Sequence, residues 1–207
     1  MFALIDNQQI TKFYSGNRGV TLGDIQYPKS IFTLWSEAER NTIGIFEVTV
    51  NTTNKKDEQW YINTNVSYGV ESNKAVGSYG TATPKLLEDR NETNEDGSPM
   101  LDDKGNQVVT KGLKSQKKDI IKQQASGLLT PTDWYIIKAT DVESYSVPSA
   151  VTTFRSDVRT KSNTMETAID NASDVDALAT LYQYVNTGTE ENPVMERPLG
   201  EFPTLEI

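Results

Sequence analysis

The hydrophobic pattern of this 207-residue chain changes its period near residue 112, and that change most constrains the fold. Before it, the stretches "IFEVTV", "WYINTNVSYGV" and "AVGSYGTATPKLL" alternate apolar and polar residues, which predicts an antiparallel sheet with one wet face. After it, Leu113, Ile120, Ile121 and Leu128 recur at helical spacing. We therefore predict an α+β protein, in which a small antiparallel β domain with a short helix precedes a helical C-terminal region and an extended tail.

Local signals place the first elements. Residues 2–14 have the pattern of two short strands around an Asp-Asn turn, which predicts a tight hairpin. Ser36 followed by Glu39 matches a capping box, in which each residue bonds the backbone N–H of the other. This box predicts a short helix at about residues 37–42. The predicted modules are a β-rich module, a protruding hairpin or linker, a helical module and an extended arm: residues 1–87, 88–111, 112–186 and 187–207.

Prolines and caps divide the second half into helices. Pro131 ends the first helix, a second begins after Pro148, and Ser173 is the predicted N-cap of a third. The second helix carries one apolar stripe: Val151, Phe154, Val158, Met165 and Ile169. The segment from residue 187 onward has three prolines and no periodicity, so we expect an arm that lies on a partner or on another copy of the chain.

The composition removes many chemistries. The chain has neither cysteine nor histidine, so thiol nucleophiles, the usual serine triad and most zinc sites are excluded. Its net charge of -9 disfavours nucleic-acid binding. The basic cluster "KGLKSQKK", residues 111–118, is interpreted as a solvated helix face, and no apolar run is long enough to span a membrane. We expect no catalytic residue, cofactor or metal.

Two functional alternatives stay open. A carboxylate-based glycan hydrolase would use acids such as Glu37, Glu39 or Glu47, which need to oppose each other across a cleft. A host-receptor or carbohydrate-binding module would use exposed aromatic rings, and the candidates are Trp60, Tyr61, Tyr68 and Tyr79. In alternating strands, however, such rings are more often core residues or cross-strand pairs, which is the interpretation we favour. Asp96, Asp102, Asp103 and Asn106 are oxygen-rich, but their spacing fails the EF-hand pattern, so no calcium site is predicted.

The segment from Lys114 to Asn163 carries a pattern of motifs: a helix, a leucine pair, Thr-Asp-Trp, a turn of ten to fifteen residues and a helix with aromatic-Arg-x-x-x-Arg. Here they are Leu128-Leu129, Thr132-Asp133-Trp134, Pro148, Phe154-Arg155 and Val158-Arg159. The pattern resembles the tail assembly chaperone and tail-fibre assembly proteins of tailed bacteriophages. The N-terminal stretches "MFALIDNQQI" and "YPKSIFTLWSEAERNTIGIFEV" are similar to the β module of the same proteins. The chain continues for about fifty residues past the arginine helix, where the family usually ends.

The resemblance implies a structural or assembly protein of the phage tail or tail-fibre apparatus, located in the tail region of the virion. A transient tail-fibre chaperone is the alternative. Expected partners are other tail or fibre proteins and further copies of this chain, with no nucleic acid and no membrane. The predicted partner-binding residues are Trp134, Tyr135, Phe154, Arg155 and Arg159.

Physical reasoning about this segment gives it a structural role. Asp133 follows a proline-ended helix, where its carboxylate is expected to cap free backbone N–H groups. Trp134 is expected to bury its ring against Phe154. Arg155 and Arg159 lie one turn apart, available to pair with Asp133 or Asp157 or to project toward a partner.

Overall fold

The computed structural model describes residues 1–206, and the chain divides into two compact units at Thr83/Pro84. This division lies close to the boundary predicted at residue 87. The first unit is rich in strands, and the second contains the long helices. The α+β prediction is therefore confirmed.

The first unit contains one α-helix, α1 (Glu37–Thr42), preceded by a 3-10 helix at Lys29–Phe32. The last strand of this region, β9, spans the boundary between the units. In chain order the strands are β1 (Phe2–Asp6), β2 (Gln9–Tyr14), β3 (Val20–Leu22), β4 (Ile25–Tyr27), β5 (Ile45–Asn51), β6 (Tyr61–Ile62), β7 (Val66–Glu71), β8 (Lys74–Tyr79) and β9 (Thr83–Pro84).

Five of these strands form one sheet in the order β2-β1-β5-β8-β7. The prediction of a purely antiparallel sheet is wrong at one place, because β5 and β8 are parallel, with Val48 opposite Ala75. The chain leaves the sheet after β5 and returns as the β7–β8 hairpin, whose second strand, not its first, lies beside β5. A parallel pair requires such a long connection.

The sheet curls until its two edge strands approach each other. Gln8 Nε2 donates to Asn73 Oδ1 at 2.7 Å, joining the turns of the β1–β2 and β7–β8 hairpins. Further along, the rings of Phe13 and Tyr68 meet edge-on with centroids 5.0 Å apart. The Tyr68 ring lies over Gly77, where an added Cβ would stand 2.8 Å from a ring carbon. The hairpin predicted at residues 2–14 is confirmed as the antiparallel pair β1–β2.

The core of the first unit lies under β1 and β5. Its buried members are Val20, Ile31, Phe32 and Ile45. The predicted capping box is present, since the Ser36 amide donates to Glu39 Oε2 at 2.7 Å and the Glu39 amide to Ser36 Oγ at 3.3 Å. These bonds fix the start of α1 at the predicted residue.

The second unit contains four α-helices, a 3-10 helix at Thr130–Thr132 and short strands in the residues described. They are β10 (Arg90–Asn91), β11 (Val109–Thr110), α2 (Leu113–Leu129), α3 (Asp133–Asp141), α4 (Ser149–Asp170), α5 (Val175–Thr180), β12 (Val185–Asn186) and β13 (Met195–Glu196). All five residues of the stripe predicted on α4 are buried. The N-cap of α5 is Asp174, not Ser173, because its carboxylate accepts from the Ala177 amide at 2.7 Å. No helix within residues 1–206 is long and apolar enough to cross a membrane.

The insertion at residues 88–111, predicted as a protruding hairpin, is more compact than a simple hairpin. β10 and β11 pair at its base, and above them three backbone segments close a triangle of hydrogen bonds. Glu92 N donates to Val108 O at 2.9 Å, Val108 N to Met100 O at 2.8 Å, and Met100 N to Glu92 O at 2.9 Å. Gln107 Nε2 donates to the same three carbonyls, at 2.7 Å to Glu92 O, 3.1 Å to Met100 O and 2.9 Å to Val108 O.

Lysines of the basic cluster at residues 111–118 form ion pairs with acidic side chains, so the cluster is not simply a solvated helix face. Lys114 is buried, and its Nζ donates to Glu88 Oε1 at 2.5 Å and to Asp170 O at 2.9 Å. Lys118 pairs with Asp170 at 2.7 Å. The insertion, α2 and the end of α4 are therefore joined through lysines.

The C-terminal segment is not the extended arm that its prolines predicted. β12 and β13 form a small antiparallel hairpin, after which Leu199 is 2% exposed. Phe202 and Leu205 then pack against the buried cluster of Ala125, Phe154 and Val158. The described part of the segment thus packs on its own unit, and Ile207 lies outside the described residues. Contact of this segment with a partner stays a prediction.

We predict that Phe202→Ala lowers the free energy of unfolding by about 1–3 kcal/mol, because the ring is partly buried against the α2–α4 cluster. Val194→Ala is the control, since Val194 is 49% exposed on the same segment and its truncation is expected to cost less than about 0.5 kcal/mol. Urea denaturation followed by circular dichroism measures both. Equal stabilities of the two variants would contradict the packing described.

Candidate functional site

Helix α3 exposes four consecutive large apolar side chains, wholly or in part, and we call this surface the α3 face. Trp134 and Ile137 lie one turn apart on one side of the helix, Tyr135 lies next to Trp134, and Ile136 lines the groove toward α4. Trp134 is 50% exposed, Ile136 42% and Ile137 61%, and no residue of α3 is buried. The Trp134 and Tyr135 rings lie against each other with centroids 3.8 Å apart. The prediction that Trp134 buries its ring against Phe154 is therefore wrong.

The α3 face exists because the chain folds into a helix where a long turn was predicted. α2 ends at Leu129, the 3-10 turn Thr130–Thr132 holds Pro131 near its start, and α3 begins at Asp133. Proline is compatible with this place because the first helical amides lack intrahelical partners. The apolar run after Pro131 is thereby placed on a separate short helix.

A buried arginine fixes the start of α3. Arg155, on α4, is 9% exposed, and its Nη1 donates to Leu129 O at 3.0 Å and to Asp133 Oδ1 at 2.8 Å. The same nitrogen donates to the hydroxyl of Thr132. Leu129 O belongs to the last turn of α2, whose carbonyls lack helical partners, so a cation there is favourable.

Asp133 has a different role from the one predicted. Thr132 is the N-cap of α3 and makes no side-chain cap, while the Asp133 carboxylate accepts from Arg155. The predicted Arg155–Asp133 ion pair is therefore present, and capping of backbone N–H groups by Asp133 is wrong. The Asp133 side chain is 51% exposed, so solvent screens its half of the pair.

The five predicted partner-binding residues separate into two groups. Phe154 and Arg155 point inward, Phe154 into the cluster with Ala125 and Val158. Trp134, Tyr135 and Arg159 are at least partly exposed, and Arg159 Nη1 donates to Arg155 O at 3.2 Å. Only the second group is available to a partner.

A groove of about 440 Å³ runs between α3 and α4. Ile136 lines one side, and Arg155 and Arg159 line the other, together with hydroxyl and amide side chains. The described residues that line it include no carboxylate. Sequence reasoning missed Ile136 and Ile137, although a pair of isoleucines after Trp-Tyr was the visible signal.

Two of the acids considered for hydrolysis, Glu39 and Glu47, have structural partners, and so has Asp102 of the oxygen-rich insertion. Glu39 closes the capping box, and hydrogen bonds from Ser36 lower the pKa of its carboxyl. Glu47 lies 3.9 Å from Arg40 with a side chain 62% exposed. Asp102 accepts from the Asn106 amide at 2.8 Å, which lowers its pKa. Within residues 1–206 no group of three or more acidic side chains is placed to hold a metal ion.

The aromatic residues proposed for carbohydrate stacking are mostly unavailable. Trp60 is 5% exposed and Tyr61 6%, so neither ring presents a face to a ligand. Tyr68 is 43% exposed, but its ring lies over Gly77 and against Phe13. At Trp60 and Tyr61 the structure therefore shows the core positions that the strand pattern favoured over a stacking surface.

Comparisons with protein-family models, curated proteins and solved structures give no match for this chain. The support for a function of the α3 face therefore comes from its geometry and from the motif resemblance. The geometry offers an apolar, aromatic surface on a short helix that a buried arginine holds in place. Such a surface suits protein contact better than chemistry.

We predict that Arg155→Ala lowers the free energy of unfolding by about 2–3 kcal/mol, since it removes the buried donor that Leu129 O, the Thr132 hydroxyl and Asp133 Oδ1 share. Arg159→Ala is the matched control, with an expected change below about 0.5 kcal/mol because its side chain is exposed. Chemical denaturation measures both variants. If the two arginines prove equivalent, Arg155 does not anchor α3.

Proposed function

We propose that the protein is a structural or assembly component of a tailed-bacteriophage tail or tail-fibre apparatus and acts by protein–protein contact through the α3 face. The Thr-Asp-Trp and Phe-Arg-x-x-x-Arg motifs that resemble the phage proteins lie at this place, Thr132 to Trp134 at the start of α3 and Phe154 to Arg159 on α4. The chain is proposed to stay in the tail region of the virion, with other tail or fibre proteins and further copies of itself as partners.

The observation that carries this proposal is the exposure of Trp134 and Ile137 on a helix with a fixed base. Large apolar side chains grouped on a surface mark interaction sites when they are contiguous. Tryptophan and arginine are the residues that most often dominate binding energy at protein interfaces. Trp134 on α3 and Arg159 on α4 are both exposed here, while Arg155 holds the start of α3.

Virion association is the first test. In gradient-purified particles of a phage that carries this gene, quantitative mass spectrometry is expected to find several copies of the chain per particle. Detection in the lysate but not in particles would favour the transient chaperone. Normal, infectious particles with complete tails and fibres from a phage deleted for the gene would contradict both versions.

We predict that Trp134→Ala separates binding from stability. The half-exposed ring contributes about 1 kcal/mol or less to the isolated protein. As an interface anchor, its loss weakens partner binding by about 2 kcal/mol, some thirtyfold. The measurement is the amount of variant protein incorporated into particles when it complements the deletion phage, alongside urea denaturation of the purified chain.

The control for this experiment is Leu34→Ala, because Leu34 is 80% exposed in the first unit and lies outside the α3 face. It removes a comparable exposed apolar side chain. Equal incorporation of both variants would contradict the assignment of the α3 face. Normal incorporation of Leu34→Ala with loss of Trp134→Ala would support it.

A further inference from the structure

A second cavity, in the first unit, concentrates positive charge. It has a volume of about 510 Å³, within the range of small-molecule sites, and is lined by residues between Lys12 and Thr21. Lys12 and Arg18 are its charged lining residues, and the described lining includes no carboxylate. A neighbouring groove of about 430 Å³ shares Gly19, Val20 and Thr21 and adds Lys29.

A local excess of positive charge is unusual in this acidic chain. The protein carries 29 acidic residues and a net charge of -9, yet residues 7–23 contain neither Asp nor Glu. Within residues 1–206, neither Lys12 nor Arg18 pairs with a carboxylate. At least nine other lysines and arginines among the described residues do have such partners. The two cations are therefore available to an external anion.

The loop between β2 and β3 brings the two cations to one cavity. Gly16 has φ +76°, a left-handed conformation that L side chains rarely adopt, and it bends the chain just after β2. Gly19 packs so closely that an added Cβ would lie 2.5 Å from Tyr27 O. At the start of the loop, Ser15 Oγ donates to Asn17 Oδ1 at 2.7 Å. Lys12 lies before this bend and Arg18 within it, and both line the cavity.

The chemistry of the lining selects a class of ligand. A guanidinium offers a planar fork of donors that fits the two oxygens of a carboxylate or phosphate, and an ammonium adds a compact point charge. Lys12 Nζ lies 5.5 Å from the centre of the Tyr14 ring. Ser15 and Thr21 add hydroxyl groups to the lining, which suit a polar, hydroxylated ligand.

We propose that this cavity binds the carboxylate or phosphate group of a small polar ligand, with Arg18 and Lys12 as the recognition residues. This site is separate from the α3 face and does not depend on the proposed assembly function. The overall negative charge repels extended polyanions at long range, so a small ligand is favoured over nucleic acid.

The test is a titration of the full-length chain with sodium glucuronate, inorganic phosphate and neutral glucose, followed by nuclear magnetic resonance of the backbone amides. Glucuronate or phosphate is expected to shift resonances of residues 12–21, and glucose is not. Shifts with glucuronate alone assign a carboxylate-bearing sugar, and shifts with phosphate alone assign a phosphate ligand. Either result supports the oxyanion site.

Charge-removing variants decide whether the two cations carry the binding. Arg18→Gln and Lys12→Gln are each expected to weaken binding about tenfold, the loss of one charge-assisted contact. Lys74→Gln removes the same charge from an exposed strand residue outside both cavities, and it is expected to stay within about twofold of the native protein. Because Lys12, Arg18 and Lys74 are all exposed, we expect each variant to keep the native fold, and circular dichroism checks this.

Three results would overturn the proposal. The first is the absence of any shift at residues 12–21 with both anions up to about 10 mM, a concentration above the Kd of about 1 mM that a weak site has. The second is an affinity that Arg18→Gln and Lys12→Gln change no more than Lys74→Gln does. The third is equal shifts with glucose, which would show that the anionic group is not what the cavity recognises.

Discussion

The contact between Arg155 and the α2–α3 junction is the interaction on which the candidate surface depends. One guanidinium nitrogen bonds the last turn of α2, the hydroxyl of Thr132 and the carboxylate that begins α3. A buried cation is costly unless hydrogen bonds and an ion pair offset its lost hydration, and these three acceptors, which share Nη1, contribute to that offset. Because Arg155 sits on α4, one side chain fixes the direction in which the chain leaves α2.

This anchoring explains how α3 keeps its apolar residues on the surface. A short isolated helix is marginal in water and is usually stabilised by burying one face. Here the first turn is held by the Arg155 contacts, so the side chains of Trp134 and Ile137 are not needed for packing. The stack of Trp134 on Tyr135 also orders both rings in advance, which reduces the entropy lost when a partner binds.

The sequence predicted well those features that depend on near neighbours. The capping box at Ser36 and the apolar stripe of α4 are local patterns, and both are present as expected. The burial of Trp134 was mispredicted because the exposure of a side chain depends on which residues the fold places against it. The surface of Phe154 is covered by Phe202 and Leu205 instead, from a segment that shows no periodicity. The parallel pairing of β5 with β8 is likewise a tertiary choice that strand patterns do not encode.

Whether a charged side chain is available to a ligand likewise depends on which partners the fold places beside it. Three lysines of the conspicuous basic run at residues 111–118 pair with Glu88, Asp119 and Asp170. Arg18, inconspicuous in the sequence, keeps its charge for a ligand. The two arginines of α4 differ in this way as well: the hydrogen bonds of Arg155 are used within the fold, whereas Arg159 lies exposed beside the α3–α4 groove. Of this pair, Arg155 accounts for the position of the helix, and Arg159 is the cation that remains to select an acidic partner.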